Sequence, residues 1–328
     1  MSDDLTCLMR DVRERIHSRF CRLVFSDIRD EGLLRAYRHL MSYWVDSYRP
    51  TLTWLCNEIC GGDPIKTISP SLVIYLTSAG IGIHDDIIDQ SRVKQFQKTV
   101  PGLMGPDTAL IAGDLLLVKG LLFVEGFIED YDSVTFSSLI KVYRSYFTML
   151  AEAEMKEVRA RKRLDLEVSD YLSLLWDLSV DSYVCGLIGA ITGGGSEEEK
   201  TALGFYGRNL GYLIRLRDEI KDVLNIEGGL KPRLLFESIP LALVYVCNKS
   251  SEYYREVGQI IGEGVWGRDA VERLLGLCYD VGSFDFIEGE MHRTRSKAID
   301  CLSIFPDSSV REYLIKLTDL VSDVEYIK

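Results

Sequence analysis

Apolar residues recur at helical spacing along nearly the whole of this 328-residue chain. Near the start they include Val12, Ile16 and Phe20, and in the middle Leu172 and Leu175. Residues three or four positions apart lie on the same face of a helix, so each such segment can bury one side against a core. No segment shows the convincing alternation of polar and apolar residues that is typical of half-buried strands. We therefore expect an all-α protein.

Short groups of glycine and proline separate the periodic segments. The clearest are at residues 61–64, 101–102, 193–195, 228–229 and 305–306. The sequence shows no disordered linker, no change in composition and no repeat at a solenoid period that would divide the chain. We expect a single domain over residues 1–328, built as a bundle of roughly ten or more helices.

The composition excludes several classes of protein. Hydrophobic residues make up 47% of the chain, which is ample for a sizeable core. The net charge of −12 argues against a general affinity for nucleic acid or for an anionic membrane surface. No transmembrane helix is expected, because the most apolar stretches are too short or are interrupted by Asp114, Lys119 and Glu125.

The expected location is cytoplasmic. Residues 1–20 carry charges where a secretion signal needs an apolar run. The eight cysteines are scattered along the chain, and we interpret them as buried, reduced thiols.

Two short acidic runs carry the chemistry. The first is Asp85, Asp86 and Asp89 in HDDIID, and the second is Asp218, Glu219 and Asp222 in RDEIKD. On a helix, the first and last acid of each run share a face and the middle acid lies beside them, so the carboxylates repel unless a cation neutralises them. Oxygen ligands without histidine or cysteine suit Mg²⁺, which shares its shell with water and substrate phosphates. Together the runs indicate a Mg²⁺ site that binds a diphosphate; the alternative is a pair of solvated charged faces.

Glycines stand inside the first acidic helix, although each costs about 1 kcal/mol relative to alanine. Gly80 and Thr77 precede the aspartates by one to two turns and would leave room for an elongated apolar tail. The alternative is close packing of another helix against the glycine. With Ile81, these residues form the predicted tail cavity.

The paired runs resemble the two aspartate-rich motifs of the trans-polyprenyl diphosphate synthases, the polyprenyl synthetase family. Smaller matches occur in the right order over residues 48–240: Arg49-Pro50, Thr99, Ala112-Gly113-Asp114, Tyr206-Gly207, Gly211, Arg215 and Leu230-Lys231-Pro232. The resemblance implies the class I isoprenoid synthase fold, a helical bundle around a central apolar cavity. It also implies a homodimer.

In that family, Mg²⁺ held by the two motifs removes the diphosphate from an allylic prenyl substrate, and the cavity shelters the carbocation from water. The resemblance implies that Asp85, Asp89 and Asp218 are catalytic and bind metal directly, and that Asp86, Glu219 and Asp222 support them. It also implies that Glu154, in a polar segment of the next long helix, orients metal-bound water or pairs with nearby basic residues.

The basic residues that bind the diphosphate are less regular. The resemblance assigns this role to Arg49, Lys94 and Lys231, and we predict it for Arg215 from its place one turn before Asp218. The family's mid-chain lysine aligns with Leu178, and Arg215 stands where the family has glutamine. Arg215 either replaces the missing charge or forms a structural salt bridge.

The isopentenyl diphosphate site departs further from the family. Of the basic segment that precedes Pro50, only Arg49 remains; Asp46 stands in place of a lysine, and Ser78 in place of a histidine. An acid at this position repels a diphosphate.

Three functions follow. The first is elongation of an allylic prenyl diphosphate with isopentenyl diphosphate, to twenty carbons or longer because Gly80 and Ile81 offer no aromatic floor. The second is a terpene cyclase or lyase, or a transferase with an acceptor other than isopentenyl diphosphate, which the degraded second site favours. The third is a subunit of a heteromeric synthase, against which the retention of both acidic runs argues.

Overall fold

The computed structural model describes residues 2–94, 96–224, 230–263 and 267–323, with side chains from residue 4 onward. The described residues form α-helices throughout, apart from two 3₁₀ helices and one short hairpin. The helices are α1 (Ser2–Phe25), α2 (Glu31–Tyr43), α3 (Tyr48–Ile59), α4 (Ile68–Ile88), α5 (Val100–Met104), α6 (Pro106–Leu122), α7 (Ser133–Ala160), α8 (Val168–Asp177), α9 (Val180–Thr192), α10 (Glu197–Val223), α11 (Leu230–Phe236), α12 (Leu241–Cys247), α13 (Ser251–Glu263), α14 (Arg268–Asp280), α15 (Ser283–Cys301) and α16 (Ser309–Ser322). The 3₁₀ helices span Pro64–Thr67 and Phe123–Asp130, and β1 (Val93–Lys94) pairs antiparallel with β2 (Gln97–Lys98). The all-α prediction is confirmed.

The larger core surrounds α9 and α10. Helix α9 packs against α3, α7 and α10, and α10 also packs against α15. A methyl group at Gly186 would lie 2.1 Å from the Leu203 carbonyl oxygen, and one at Gly207 would lie 2.2 Å from that of Ser182. The two helices therefore cross with their backbones in contact, which only glycine allows. This crossing fixes the direction of α10.

Helix α4 lies between the two cores of the described structure. Val73 and Ile74 belong to the core around α9, whereas Leu76 and Ile83 pack with α1, α2 and α6. Burial on both sides explains why its first thirteen residues, Ile68 to Gly80, are all buried. The helix cannot rotate without losing one of these contacts, so the direction of its C-terminal end is fixed.

Both acidic runs lie at C-terminal ends of helices. Asp85 and Asp86 are in the last turn of α4, Asp89 follows it, and the second run occupies the last two turns of α10. The backbone carbonyls at this end carry partial negative charge, so acids placed there are unfavourable without cations. The N-terminus of α10 is stabilised by a capping box between Ser196 and Glu199.

By its length and apolar composition alone, the stretch Val168–Thr192 could cross a membrane. It consists of α8 and α9, and 67% of its most apolar window is buried within the protein. Its apolar composition is thus accounted for by core packing.

Candidate metal and diphosphate site

The two acidic runs border one cavity of about 790 Å³ between the ends of α4 and α10. Five of the six predicted acids line it: Asp85, Asp89, Asp218, Glu219 and Asp222. Asp86 is buried beside them. Apolar side chains such as Ile81, Leu150 and Leu175 line another part of the wall. The central cavity is therefore apolar only in part, because charged side chains make up much of its lining.

Lys94 neutralises two acids of the first run. Its Nζ lies 2.8 Å from Asp86 Oδ1 and 3.6 Å from Asp85 Oδ2. Burial raises the pKa of Asp86. Burial opposes the charge of Lys94, but Asp85 and Asp86 together raise its pKa. The lysine predicted to bind diphosphate thus contacts the first acidic run.

Arg161, which follows α7, neutralises the third acid of this run. Its guanidinium donates to Asp89 and, at 3.0 Å, to the Ile88 carbonyl oxygen. Burial, with the charges of Asp85 and Glu237, raises the pKa of Asp89 to about 9. Asp85 is more accessible than Asp89, because 34% of its side chain is exposed.

In the second run, the three acids have different environments. Asp218 is 45% exposed, and its nearest cations are Arg217 at 3.3 Å and Lys221 at 3.9 Å. Glu219 is buried and pairs with Arg233. Asp222 pairs with the same arginine. Asp218 and Asp222 therefore keep 45% and 35% of their side chains exposed, whereas Glu219 is closed to the cavity.

The exposed oxygens of Asp85 and Asp218 fit a divalent cation such as Mg²⁺, because they are hard ligands from two helices that border one cavity. Within the described ranges, no three acidic, histidine or cysteine side chains converge closely enough to hold an ion by themselves. Water and substrate oxygens would have to complete the shell, as Mg²⁺ prefers.

The predicted tail residues divide between two places. Ile81 lines the cavity. Gly80 faces α6, where a methyl group would lie 2.9 Å from the Gly113 carbonyl oxygen, and the Thr77 hydroxyl faces Gly120 of the same helix. For Gly80 and Thr77 the alternative, close helix packing, is what the structure shows, since α4 and α6 approach too closely to leave a channel.

Gly82 opens to the cavity instead, with no atom within 4 Å of an added methyl group. Sequence reasoning missed it, although the helical spacing of Ser78, Gly82, Asp85 and Asp89 places all four on one face. All four line the cavity.

Lys231 lies on the exposed surface of α11, whereas Pro232 and Arg233 line the cavity. The structure therefore does not bring Lys231 to the site, and Arg233 provides the positive charge from this helix. No sequence signal identified Arg233, because its partners on α10 come together with it only in the fold.

Arg215 is the best placed of the predicted diphosphate ligands. Its Nη2 donates to the Leu178 carbonyl oxygen at 3.3 Å, so its charge lies beside the position of the missing lysine. Burial opposes its charge, but Glu157 and Glu154 raise its pKa. No acidic oxygen lies within 4 Å of it among the ion pairs of the described residues. Arg215 can therefore donate to a diphosphate.

Arg49 is already neutralised. Its Nε lies 2.7 Å from Asp46, its Nη1 pairs with Asp181, and it donates to the Ser78 hydroxyl at 2.7 Å. Asp181, on α9, was not identified from the sequence. With two carboxylates on one guanidinium, this wall has no spare positive charge for a second diphosphate.

Glu154 and Glu157 of α7 also line the cavity. Burial, and then the charge of Asp85, raises the pKa of Glu154 to about 8. Burial likewise raises the pKa of Glu157, against the effect of Arg215. The Glu154 carboxyl can therefore hold a proton near neutral pH.

A model of the polyprenyl synthetase family matches residues 30–231 of the chain. A short chain isoprenyl diphosphate synthase from Methanothermobacter thermautotrophicus is 28% identical over 307 residues, which cover 92% of this chain and 93% of that protein. The geranylgeranyl pyrophosphate synthetase of Pyrococcus horikoshii superposes with a TM-score of 0.85 at 22% identity, covering 96% of this chain and 98% of that one. A polyprenyl synthase from Caulobacter crescentus, complexed with calcium and isoprenyl diphosphate, gives a TM-score of 0.79 at 20% identity over 98% of each chain.

The two structural matches show that the fold is shared. The family model covers more than half of the chain and includes both acidic runs. The chain therefore belongs to the polyprenyl synthetase family of prenyltransferases.

Proposed function

We propose that this chain elongates an allylic prenyl diphosphate with isopentenyl diphosphate, and that Asp85 and Asp218 bind the divalent metal on which the reaction depends. The observation that carries the proposal is the meeting of two acidic helix ends at one cavity whose wall continues into apolar side chains. The relative from Methanothermobacter thermautotrophicus, named as an isoprenyl diphosphate synthase, supports it.

Each part of the cavity has a task. Bound Mg²⁺ supplies positive charge that stabilises the departing diphosphate. Arg215 donates hydrogen bonds to the same diphosphate, since its guanidinium has no carboxylate partner among the ion pairs of the described residues. Ile81, Leu150 and Leu175 exclude water from the prenyl cation.

A product of twenty carbons or longer is consistent with Ile81 and Gly82 on the α4 wall, because neither residue blocks the cavity with an aromatic ring. The geranylgeranyl pyrophosphate synthetase of similar fold supports this length.

The test is a product analysis. Purified protein is incubated with Mg²⁺ and farnesyl or geranylgeranyl diphosphate, with and without isopentenyl diphosphate, and an EDTA-treated sample is the control. We expect a longer prenyl diphosphate that requires both isopentenyl diphosphate and metal. Elongation is rejected if the rate of diphosphate release does not depend on isopentenyl diphosphate and if the prenyl chain is not lengthened.

The Arg49 cluster favours a second candidate, a cyclase or a transferase to an acceptor without phosphate. Asp46 and Asp181 neutralise the one family arginine that remains at the second site. The same incubation distinguishes the candidates, because a cyclase gives a hydrocarbon or alcohol without isopentenyl diphosphate. The variant Asp46→Asn separates the candidates further. If Arg49 binds isopentenyl diphosphate, removing the acidic charge should lower the KM for that substrate. If the acceptor carries no phosphate, the kinetics of the variant should equal those of wild type.

A homodimer is part of the proposal. Five side chains of α6 that are 47–61% exposed form an apolar surface: Leu110, Ile111, Val118, Leu121 and Leu122. A second copy would cover it. Light scattering of the purified chain tests this, and Leu121→Glu should produce monomers if α6 forms the interface.

A further inference from the structure

We propose that Asp181 determines the specificity of the second site: when isopentenyl diphosphate binds to Arg49, the Asp181 carboxylate leaves this arginine and accepts a hydrogen bond from Tyr146. Asp181 is in the first turn of α9, and Tyr146 is on α7. Both residues line the cavity, as Arg49 does. The proposal rests on the proposed use of isopentenyl diphosphate, and it explains how a site whose arginine is already paired can bind a second diphosphate.

The two acids that pair with Arg49 hold it in different ways. Asp46 uses both of its carboxylate oxygens, since Oδ1 accepts from the Arg49 backbone N–H at 3.2 Å and Oδ2 lies 2.7 Å from Nε. Only 5% of the Asp46 side chain is exposed, and it is not among the described residues that line the cavity. Asp46 therefore fixes the position of Arg49 without covering it.

Asp181 pairs with Arg49 on the cavity side and through one oxygen. Its Oδ2 accepts from Arg49 Nη1 and, at 3.4 Å, from the Ser78 hydroxyl. Its Oδ1 is buried and has no hydrogen-bond partner within the described part of the chain. A carboxylate that is held through one oxygen and is 20% exposed can rotate more easily than Asp46 can. Once it has rotated, Nη1 can donate to a phosphate oxygen.

The Tyr146 hydroxyl is a second buried group without a partner. The side chain is fully buried, and no described residue forms a hydrogen bond with the hydroxyl. Burial, and then the charge of Asp181, raises the pKa of Tyr146, so the hydroxyl keeps its proton and lies near that carboxylate. A buried donor and a buried acceptor are both costly when unpaired. Rotation of Asp181 towards Tyr146 satisfies both groups.

The position of Asp181 on its helix also favours this exchange. The N–H groups at the N-terminus of α9 carry partial positive charge, which stabilises the carboxylate after it has left Arg49. A diphosphate also brings more negative charge to Arg49 than one carboxylate does. Simple repulsion between Asp181 and the diphosphate would not involve Tyr146, and this difference makes the exchange testable.

The experiment is a double-mutant cycle on binding. Isothermal titration calorimetry measures the Kd of isopentenyl diphosphate for the full chain in EDTA, without an allylic substrate. We expect Asp181→Ala to lower this Kd by about tenfold or more, because a competing carboxylate is removed. Tyr146→Phe should raise the Kd by about tenfold, because the displaced carboxylate then has no donor. In the Asp181→Ala background, Tyr146→Phe should change the Kd by less than about twofold.

Tyr143→Phe is the matched control. It removes a hydroxyl from the same helix, but this hydroxyl donates to the Pro70 carbonyl oxygen at 3.0 Å, so the Kd should equal that of wild type. Circular dichroism verifies that each variant is folded. The proposal is overturned if Tyr146→Phe changes the Kd equally in both backgrounds, or if Asp181→Ala leaves the Kd unchanged.

Steady-state kinetics provides a second measurement. Tyr146→Phe should raise the KM for isopentenyl diphosphate and leave the KM for the allylic diphosphate unchanged, whereas a general disturbance of the fold would raise both. The calorimetry measures no product, so its outcome is independent of the product analysis. A chain that binds isopentenyl diphosphate in the expected pattern but does not elongate would contradict the proposed function alone.

Discussion

The two acidic runs have the same spacing in the sequence, but the fold buries different positions of each. The first keeps 34% of Asp85 exposed and buries Asp86 against Lys94 and Asp89 against Arg161. The second buries its middle acid, Glu219, against Arg233 and keeps 45% of Asp218 exposed. Matched patterns therefore fix which acids share a helix face, but the elements that pack on that face decide which acids stay free.

The difference arises from what covers each helix end. Helix α4 leads into an exposed hairpin, whereas α10 is covered by the start of α12. The N-cap of α12 is Pro240, whose side chain cannot accept a hydrogen bond. Glu219 accepts the Leu241 N–H in its place and puts negative charge at a helix N-terminus, where it is favourable. Glu219 is therefore part of the scaffold.

The largest expected effect is on catalysis, and here the two runs should behave alike. Asp85→Ala and Asp218→Ala should each lower diphosphate release by more than about 100-fold, since each removes a carboxylate open to the metal. Single-turnover release of labelled diphosphate measures this, and circular dichroism verifies the fold. Wild-type turnover in either variant would contradict its role.

The second expected effect separates the runs. Glu219→Ala should lower the free energy of unfolding by about 3–5 kcal/mol, because it leaves the Arg233 charge buried with fewer partners. Asp85→Ala should change it by less than about 1 kcal/mol. Urea unfolding at neutral pH measures both. If both variants lost a similar, small free energy of unfolding, the buried Glu219 would not stabilise the fold more than the exposed Asp85 does.

The sequence predicted the helical fold and the shared cavity face because both depend on local periodicity. Asp85 and Asp89 are four residues apart, so any helix brings them together. It could not predict that Arg233 contacts Glu219 or that Asp181 contacts Arg49, because each pair joins residues from different helices. For the same reason it did not indicate that Gly80 packs against Gly113, which comes from α6.

The remaining predictions from composition concern properties outside one folded chain. The cytoplasmic location stays a prediction, as does the assignment of residues 1–328 to a single domain. All eight cysteines are free in the structure, but the prediction that they are buried holds for only four of them: Cys56, Cys185, Cys247 and Cys278. Cys7 is exposed, and the other three are partly exposed.

The third effect tests how α4 positions the first run. Gly80→Ala places a methyl group 2.9 Å from the Gly113 carbonyl oxygen, so we expect a loss of about 1–3 kcal/mol from overpacking. Gly82→Ala is the matched control on the same helix, with open space around the new methyl group, and should gain up to about 1 kcal/mol from helix propensity. Thermal and urea unfolding compare the two. Equal effects would show that α6 does not hold α4 in position.

The smallest expected effect concerns Glu154 of α7, which lines the cavity between the runs. Its pKa is raised to about 8 by burial and then by Asp85, from an ordinary value of 4.5. The folded chain thus binds this proton more tightly than the unfolded chain, and the stability that the proton provides is lost as pH rises from about 4.5 to 8. Glu154→Gln removes this loss. In EDTA, the free energy of unfolding of the variant relative to wild type should therefore rise by about 1–2 kcal/mol between pH 5 and pH 8. This value is smaller than the full pKa shift implies, because the side chain is partly exposed to solvent. Urea unfolding of both chains at each pH measures the difference, from which the titration of Asp89 cancels because both chains contain it. If the difference stayed constant across this pH range, neither burial nor the charge of Asp85 would raise the pKa of Glu154, and the prediction would be wrong.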